Sequence, residues 1–138
     1  MSDTGWSDAL ASGSDDLDAQ HRAFFSAVDR FRAAPATKES VAGLLEFLSV
    51  HAHEHFSLEE VYMAAYHYPE VAAHREAHRG LTEQLARVRA RFEAEGPAEA
   101  VVKGLDDAVN VWLRGHIGGY DRPFVEFLKQ QPDAPEPP

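Results

Sequence analysis

Apolar residues and histidines recur at three- and four-residue steps through four stretches of the chain. This spacing places side chains on one face of a helix, and no stretch shows the strict alternation expected of a strand. The four predicted helices are joined by short connections, which favour antiparallel neighbours. The pattern therefore predicts an all-α fold, an antiparallel up-and-down four-helix bundle.

Residues that begin or end helices divide this pattern into its elements. Asp18 is the predicted N-cap of the first helix, which ends in the sequence AAPAT. The second helix starts near Thr37 and ends at YHYP, whose Pro69 suits the first turn of the third helix. Gly96 and Pro97 end the third helix and precede the fourth.

The bundle is predicted to span residues 16–128 as one domain. Residues 1–15 are rich in Ser, Asp and Gly and predict an irregular N-terminal arm, with Trp6 as its anchor on the bundle. Pro123 suits the first turn of a short C-terminal helix, and residues 129–138 form a Pro-rich tail. We expect no further domain in this sequence.

Composition narrows the functional classes. A chain of 138 residues with 44% apolar residues buries a substantial core, and its net charge of −10 argues against nucleic acids and anionic membranes as partners. With no long apolar run and no secretion signal, we expect a cytoplasmic protein, and its polar exterior predicts a monomer. Cysteine is absent, so any metal must be held by nitrogen and oxygen atoms.

Histidine is the informative residue type, because five of the eight histidines fall within the apolar stripes of the predicted helices. When residues are counted along the antiparallel helices, these five histidines lie at similar heights in the bundle. At roughly 1.5 Å per residue, their heights differ by less than about 8 Å. Glu59 lies one helical turn from a histidine in the pattern HxxxE, and a second pair forms HxxxH. The histidines of this shared layer are His21, His55, His74, His78 and His116.

Asp121 follows His116 by five residues, a step that turns about 140° in a regular helix and separates the two side chains. Gly118 and Gly119 lie between them. We expect these glycines to end the helix, so that the chain turns back and directs the Asp121 carboxylate into the histidine layer.

A metal-free alternative applies to each of these residues taken singly, because a lone core histidine is usually only a hydrogen-bonded core residue. Taken together, five buried histidines and two acids without a metal would compete for too few partners. His51 lies one turn deeper and is predicted to be a hydrogen-bonding residue, either behind a ligand or in the core, whereas His53 and His67 are predicted to face solvent. Glu60 is predicted to be a surface carboxylate or a partner of a ligand.

Five imidazoles and two carboxylates are too many ligands for one ion and suit iron, zinc, copper or nickel. Two metals are therefore predicted. If both ions are six-coordinate, both carboxylates bridge them and they share an oxo or hydroxo group, one position stays open for a small ligand.

Four segments of the chain resemble the bacterial hemerythrins, which are non-haem di-iron oxygen-binding proteins. The resemblance covers nearly the whole chain, in family order and spacing. The segments are DAQH at 18–21, HFSLEEVYM at 55–63, YPEVAAHREAH at 68–78 and WLRGHIGGYD at 112–121.

The resemblance implies two iron ions with an oxo or hydroxo bridge. It implies that His74, His78 and His116 hold one iron and that His21 and His55 hold the other, which carries the open position. It further implies that Glu59 and Asp121 bridge the two ions. The implied oxygen pocket consists of Phe24, Phe56, Trp112, Leu113 and Ile117, with Phe24 at a position where relatives often have leucine.

Three functions are consistent with this resemblance. Reversible dioxygen binding for carriage, storage or sensing fits best, and the protein is then not an enzyme. The alternative is a di-iron oxidoreductase, such as a peroxide or nitric oxide reductase or an oxygenase. Such enzymes in helical bundles typically use Glu-x-x-His pairs, which this sequence lacks. An iron store, or a module that acts through an unidentified protein partner, is the third possibility.

Overall fold

The computed structural model describes residues 6–131 and consists of helices joined by short connections. The bundle helices are α1 (Asp15–Arg32), α2 (Lys38–Ala65), α3 (Val71–Glu95) and a fourth helix that runs from Glu99 to Lys129. A short 3₁₀ turn, Asp8–Leu10, precedes α1. The predicted all-α bundle is confirmed, and no strand occurs within residues 6–131.

Packing closes the four helices around one core. The helix α1 packs on α2, α2 on α3, α3 on the fourth helix, and the fourth helix returns to α1. The apolar stripes supply the interior, with Phe25, Val28, Leu45, Leu105 and Ile117 almost fully buried. Burial of these side chains is the main favourable free-energy contribution to the fold.

The start of α1 differs from the prediction, because Ser14 and not Asp18 is its N-cap. The Ser14 hydroxyl accepts a hydrogen bond from the Leu17 N–H. Asp18 is buried one turn later and accepts hydrogen bonds from the backbone and hydroxyl of Ser12, both at 2.8 Å. Its carboxylate therefore fastens the preceding segment to the bundle. Trp6 also anchors that segment, since its ring packs on Phe25 at 6.4 Å.

The ends of α2 and α3 largely follow the sequence signals. Thr37 caps α2 in a reciprocal arrangement with Ser40, which satisfies backbone groups at the helix start. Gly96 ends α3 with a φ of 70°, a conformation that favours glycine. Pro69, by contrast, lies in the turn before α3, and Glu70 is the N-cap.

The fourth helix does not break at the glycines, so that prediction is wrong. It continues through two π-helical segments, Ala108–Leu113 and Ile117–Asp121, before the terminal α-helical segment Arg122–Lys129. In the second, the Arg122 N–H bonds to the Ile117 carbonyl, five residues back. A π-helix closes its turns over five residues, so it brings residues five apart onto nearly the same face.

The glycines themselves have ordinary helical conformations, and the positive-φ glycines among residues 6–131 are Gly13 and Gly96. A Cβ atom added to Gly118 or Gly119 would meet no neighbouring atom within 4 Å. The widened helix therefore delivers Asp121 to the layer without a turn that requires glycine.

Within residues 6–131, none of the helices is both long enough and apolar enough to cross a membrane.

Candidate metal centre

Two groups of side chains, which share one carboxylate, form the interior layer of the bundle. The larger group is Glu59, His74, His78, His116 and Asp121, and the smaller is His21, His55 and Asp121. Within each group, the possible ligand atoms lie within 4.8 Å of one another. All seven side chains that the sequence analysis predicted are therefore brought together, and the five histidines divide into sets of three and two.

Asp121 connects the two groups. Its Oδ1 lies 3.1 Å from the Nε2 of His116 and 3.2 Å from the Nε2 of His74, while its Oδ2 lies 3.1 Å from the Nε2 of His21. The π-helical segment accounts for the contact with His116, because it turns the five-residue step into one helical turn. One carboxylate thus faces imidazoles from three helices.

Glu59 is the second carboxylate that faces the histidines of the layer. Its Oε1 lies 3.2 Å from the Nε2 of His78, 3.6 Å from that of His55 and 3.8 Å from that of His74. The carboxylate therefore faces histidines of both groups, as a bridging ligand must.

These polar atoms are buried and lack hydrogen-bond partners. The Nε2 atoms of the five histidines and both oxygens of Glu59 and of Asp121 are inaccessible and unpaired within the described part of the chain. Leaving so many buried polar groups unsatisfied is costly, and proteins rarely tolerate it. Convergent imidazole nitrogens and carboxylate oxygens suit divalent or trivalent transition-metal ions, so the donor set fits metal ions.

Two of the imidazoles are oriented from behind by a hydrogen bond. The Nδ1 of His78 donates to Glu60 Oε2 at 2.9 Å, and the Nδ1 of His55 donates to the amide oxygen of Gln20. Each bond leaves Nε2 as the unprotonated atom that faces the layer, the arrangement that metal-binding histidines use. Sequence analysis missed Gln20, whose only signal is its place in the DAQH motif.

Burial favours the neutral form of three of the imidazoles. It lowers the pKa of His55 to about 3 and that of His78 to about 2, and neighbouring imidazoles add to both shifts. Burial likewise lowers the pKa of His116, against the opposing effect of the Asp121 carboxylate. Neutral imidazole is the form that binds a metal, so these histidines are poised as ligands.

The pKa values of the two carboxyl groups are shifted in opposite directions. Burial raises the pKa of Glu59 well above its ordinary value, and the nearby Asp121 carboxylate adds to the shift. Burial would also raise the pKa of Asp121, but the imidazoles of His116, His21 and His74 outweigh it and hold that pKa well below its usual range. A bound cation would favour the ionised form of both groups.

An apolar cavity lies beside the layer. About 10 Å³ of it is open to the centre of a water-sized molecule, close to the ~10–15 Å³ that holds one water. Phe24, Phe56 and Leu113 line it, together with Leu48 and Leu81. The rings of Phe24 and Phe56 lie 6.2 and 5.9 Å from the His55 ring, and Phe56 also stacks on the His78 ring at 3.8 Å, so the cavity lies next to both histidine groups.

Trp112 and Ile117 do not line this cavity. Trp112 is half-buried and stacks on the His116 ring, with ring centroids 4.5 Å apart. Ile117 is fully buried within the main apolar core. Trp112 thus lies beside the histidine layer and Ile117 lies in the apolar core, and neither side chain lines the cavity.

The other histidines lie outside the layer. His51 is exposed and donates from Nδ1 to the Phe47 carbonyl at 3.0 Å, so its predicted place in the core is wrong. Its ring also stacks on Phe47 with centroids 4.1 Å apart, and these two contacts hold it away from the layer. His53 and His67 are exposed, as predicted.

Four helices that place histidines and carboxylates in one buried layer define a histidine-rich, metal-binding helical bundle. A family model, the hemerythrin HHE cation binding domain, matches residues 12–128. The chain belongs to the hemerythrin HHE family.

Curated relatives agree with this assignment. A protein named bacteriohemerythrin from Ralstonia nicotianae is 30% identical over 132 residues, which cover 95% of this chain and 93% of the relative. Bacteriohemerythrins from Pseudomonas aeruginosa and Pseudomonas paraeruginosa are each 28% identical over 126 residues, covering 90% of this chain and 80% of the relative. No solved structure gives a significant match.

Proposed function

We propose that this protein binds dioxygen reversibly at a di-iron centre, for oxygen carriage, storage or sensing. The observation that carries the proposal is the division of five buried imidazoles into sets of three and two around the shared carboxylate of Asp121. Unequal sets leave the two ions with different numbers of protein ligands, so the ion with fewer ligands has room for one small molecule.

In this proposal, His74, His78 and His116 hold one iron, His21 and His55 hold the other, and Glu59 and Asp121 bridge them. When bound, the two irons supply the electrons and the open position that reversible dioxygen binding requires. Gln20 and Glu60 fix the orientation of the His55 and His78 rings from behind.

The apolar cavity limits what reaches the centre. Phe24, Phe56 and Leu113 exclude water and leave space for about one small molecule. A cavity of this size does not accommodate an organic substrate, which favours a binding protein over an oxygenase. The low polarity of the wall also disfavours proton delivery to bound oxygen, and proton delivery would promote irreversible oxidation.

Iron analysis combined with optical spectroscopy tests the proposal. We expect about two irons per chain, and a spectrum of the reduced protein that changes in air and returns when oxygen is removed. An iron content far from two, or a change in air that oxygen removal does not reverse, would overturn the proposal. The monomeric state and the cytoplasmic location stay predictions, which gel filtration and cell fractionation test.

A further inference from the structure

A second pocket, here called the outer pocket, opens to solvent between α1 and α2. Its volume is about 290 Å³, and its wall includes Ala23, Phe24, Phe47, Glu54 and His55. It therefore reaches from the surface to the back of His55, one of the two histidines in the smaller group.

One side chain separates the outer pocket from the inner apolar cavity. Phe24 lines both spaces, and none of the other lining residues is shared between them. Its ring is 5% exposed and meets the rings of Phe47 and His55 edge-to-face, at 6.0 and 6.2 Å. A rotation of this ring would join the surface pocket to the cavity beside the metal layer.

The outer wall next to Phe24 is held in place. Phe47 stacks on His51 with ring centroids 4.1 Å apart, and the His51 Nδ1 donates to the Phe47 carbonyl. Phe24 has only edge contacts with its aromatic neighbours and is not stacked on another ring. Of the two phenylalanines, Phe24 is therefore the one that can rotate without breaking a ring stack.

The α2–α3 side offers the competing routes. One surface pocket there shares Ala52 and Leu85 with the inner cavity. The groove nearer the metal layer shares a single ring with it. That ring, Phe56, stacks face-to-face on His78 at 3.8 Å, with the planes 6° apart. The groove also contains the ion pair between Arg75 and Glu60, and Glu60 in turn holds His78. Opening this route would give up the face-to-face stack on a predicted metal ligand, whereas moving Phe24 would give up only an edge contact with His55 and leave the bond of His55 to Gln20 in place.

We propose that the outer pocket is the entry site for a small neutral ligand and that Phe24 is the gate to the inner cavity. The inference rests on the proposed function for the identity of the ligand, dioxygen. The pocket chemistry supports this class, because the wall next to the gate is aromatic. The Glu54 carboxylate on the wall disfavours small anions.

Stopped-flow and flash-photolysis measurements of dioxygen binding to the iron-loaded protein test the gate. Phe24→Leu should increase the association and dissociation rate constants alike by about three- to tenfold. This factor corresponds to the free-energy cost of moving a phenylalanine ring off its preferred rotamer, which the variant no longer requires. Because Phe24 also lines the inner cavity, the dissociation constant changes as well, and the diagnostic result is that both rate constants rise. Leu81→Ala is the matched control, since Leu81 lines the inner cavity alone and should change affinity rather than both rates equally.

Two blocking variants distinguish the routes. Ala23→Trp fills the outer pocket and Ala72→Trp fills the α2–α3 groove, and both alanines are exposed helix residues. Ala23→Trp should slow both rates by about three- to tenfold, and Ala72→Trp should leave them unchanged. The opposite pattern would overturn the proposal, as would a Phe24→Leu variant whose association rate constant does not rise.

Entry of dioxygen into the inner cavity can also be measured when dioxygen does not bind to the metals. In the oxidised protein under oxygen pressure, dissolved dioxygen enhances the NMR relaxation of methyl groups that it approaches. Ala23→Trp should reduce this effect at Leu48 and Leu113 of the inner cavity. Unchanged relaxation at these methyls would refute the entry site. A reduced effect in a protein that fails to bind dioxygen reversibly would support the entry site and reject the proposed function.

Discussion

At the scale of single residues, Asp121 is the side chain on which the metal layer most depends. Its two oxygens contact imidazoles from α1, α3 and the fourth helix, and neither oxygen has another partner among residues 6–131. Sequence reasoning identified this aspartate as a ligand but not the backbone that presents it. Residue types can be recognised from spacing, whereas the exact direction of a side chain follows from the helix that carries it.

Replacing Asp121 with alanine should lower the metal content from about two ions per chain to about one or fewer, because a shared ligand is lost. Most helicity should persist, since the apolar core is unchanged. Metal analysis and far-ultraviolet circular dichroism measure the two effects. Asp107→Ala is the matched control on the same helix, where a surface ion pair with Lys103 contributes little. A full metal complement in Asp121→Ala would refute the bridging role.

His51→Leu should retain both metals, because His51 is exposed and its ring bonds to a backbone carbonyl rather than facing the layer. His55→Leu, four residues later, should lose metal. The comparison requires only metal analysis of the two purified variants. Loss of metal from His51→Leu to the same extent as from His55→Leu would show that the assignment of the layer is wrong.

At the scale of elements, the π-helical segment Ile117–Asp121 allows one helix to direct two predicted metal-binding side chains into the layer. Regular helical geometry would point His116 and Asp121 apart, and the widened turn brings their atoms within 3.1 Å. Periodicity in the sequence predicted the four helices well, because apolar spacing reports helix phase directly. It could not predict the π-helix, because a π-helix adds only one residue to a turn. In the sequence, the apolar spacing around such a turn looks nearly the same as the spacing at the end of a helix.

Alanine at both Gly118 and Gly119 should preserve metal binding and raise the free energy of unfolding by about 1–2 kcal/mol, because alanine loses less backbone entropy in a helix. Chemical denaturation and metal analysis provide the measurements. Gly104→Ala in the same helix is the matched control, since its added Cβ would lie 2.8 Å from Val88 Cγ2 and should destabilise the bundle. If metal is lost from the double variant, the glycines are required for the π-helical geometry.

At the scale of the whole molecule, the fold encloses histidines that the metal-free protein cannot protonate without loss of stability. The folded pKa values of His55 and His78, about 3 and 2, lie below the ordinary value of 6.5. The unfolded chain therefore binds more protons between pH 6.5 and 3. The stability that these two groups provide is present above pH 6.5 and is lost as the pH falls towards 3.

The metal-free protein should accordingly lose stability on acidification from pH 6.5 to 4.5, by up to about 1.4 kcal/mol per pH unit for each histidine. Glu59 opposes this trend, because its raised pKa contributes stability that is present at low pH and lost as the pH rises. Glu59→Gln should therefore steepen the dependence measured by urea denaturation. Stability that increases on acidification would contradict the burial of neutral imidazoles.

The sequence was sufficient to predict the helical bundle, the layer of histidines and carboxylates, and the types of its ligands. Helix phase defines which side chains face inward, and the number of residues along each helix defines their height. The resemblance supplied three residues of the inner cavity, Phe24, Phe56 and Leu113. The shape of that cavity and the outer pocket beyond Phe24 could not be predicted, since a void depends on how side chains from several helices fail to meet. Side-chain packing of this kind is set by rotamers and helix crossings that one-dimensional periodicity does not contain.

Recovery of the gas tests the central claim most directly. The reduced protein is mixed with a known amount of dioxygen in a closed cell, the uptake is measured with an oxygen electrode, and the cell is then evacuated. The account predicts uptake of about one dioxygen per two irons, through the single open position, and release of the same amount as dioxygen over repeated cycles. Uptake without recovery, or no uptake by a fully iron-loaded protein, would contradict reversible binding at this site.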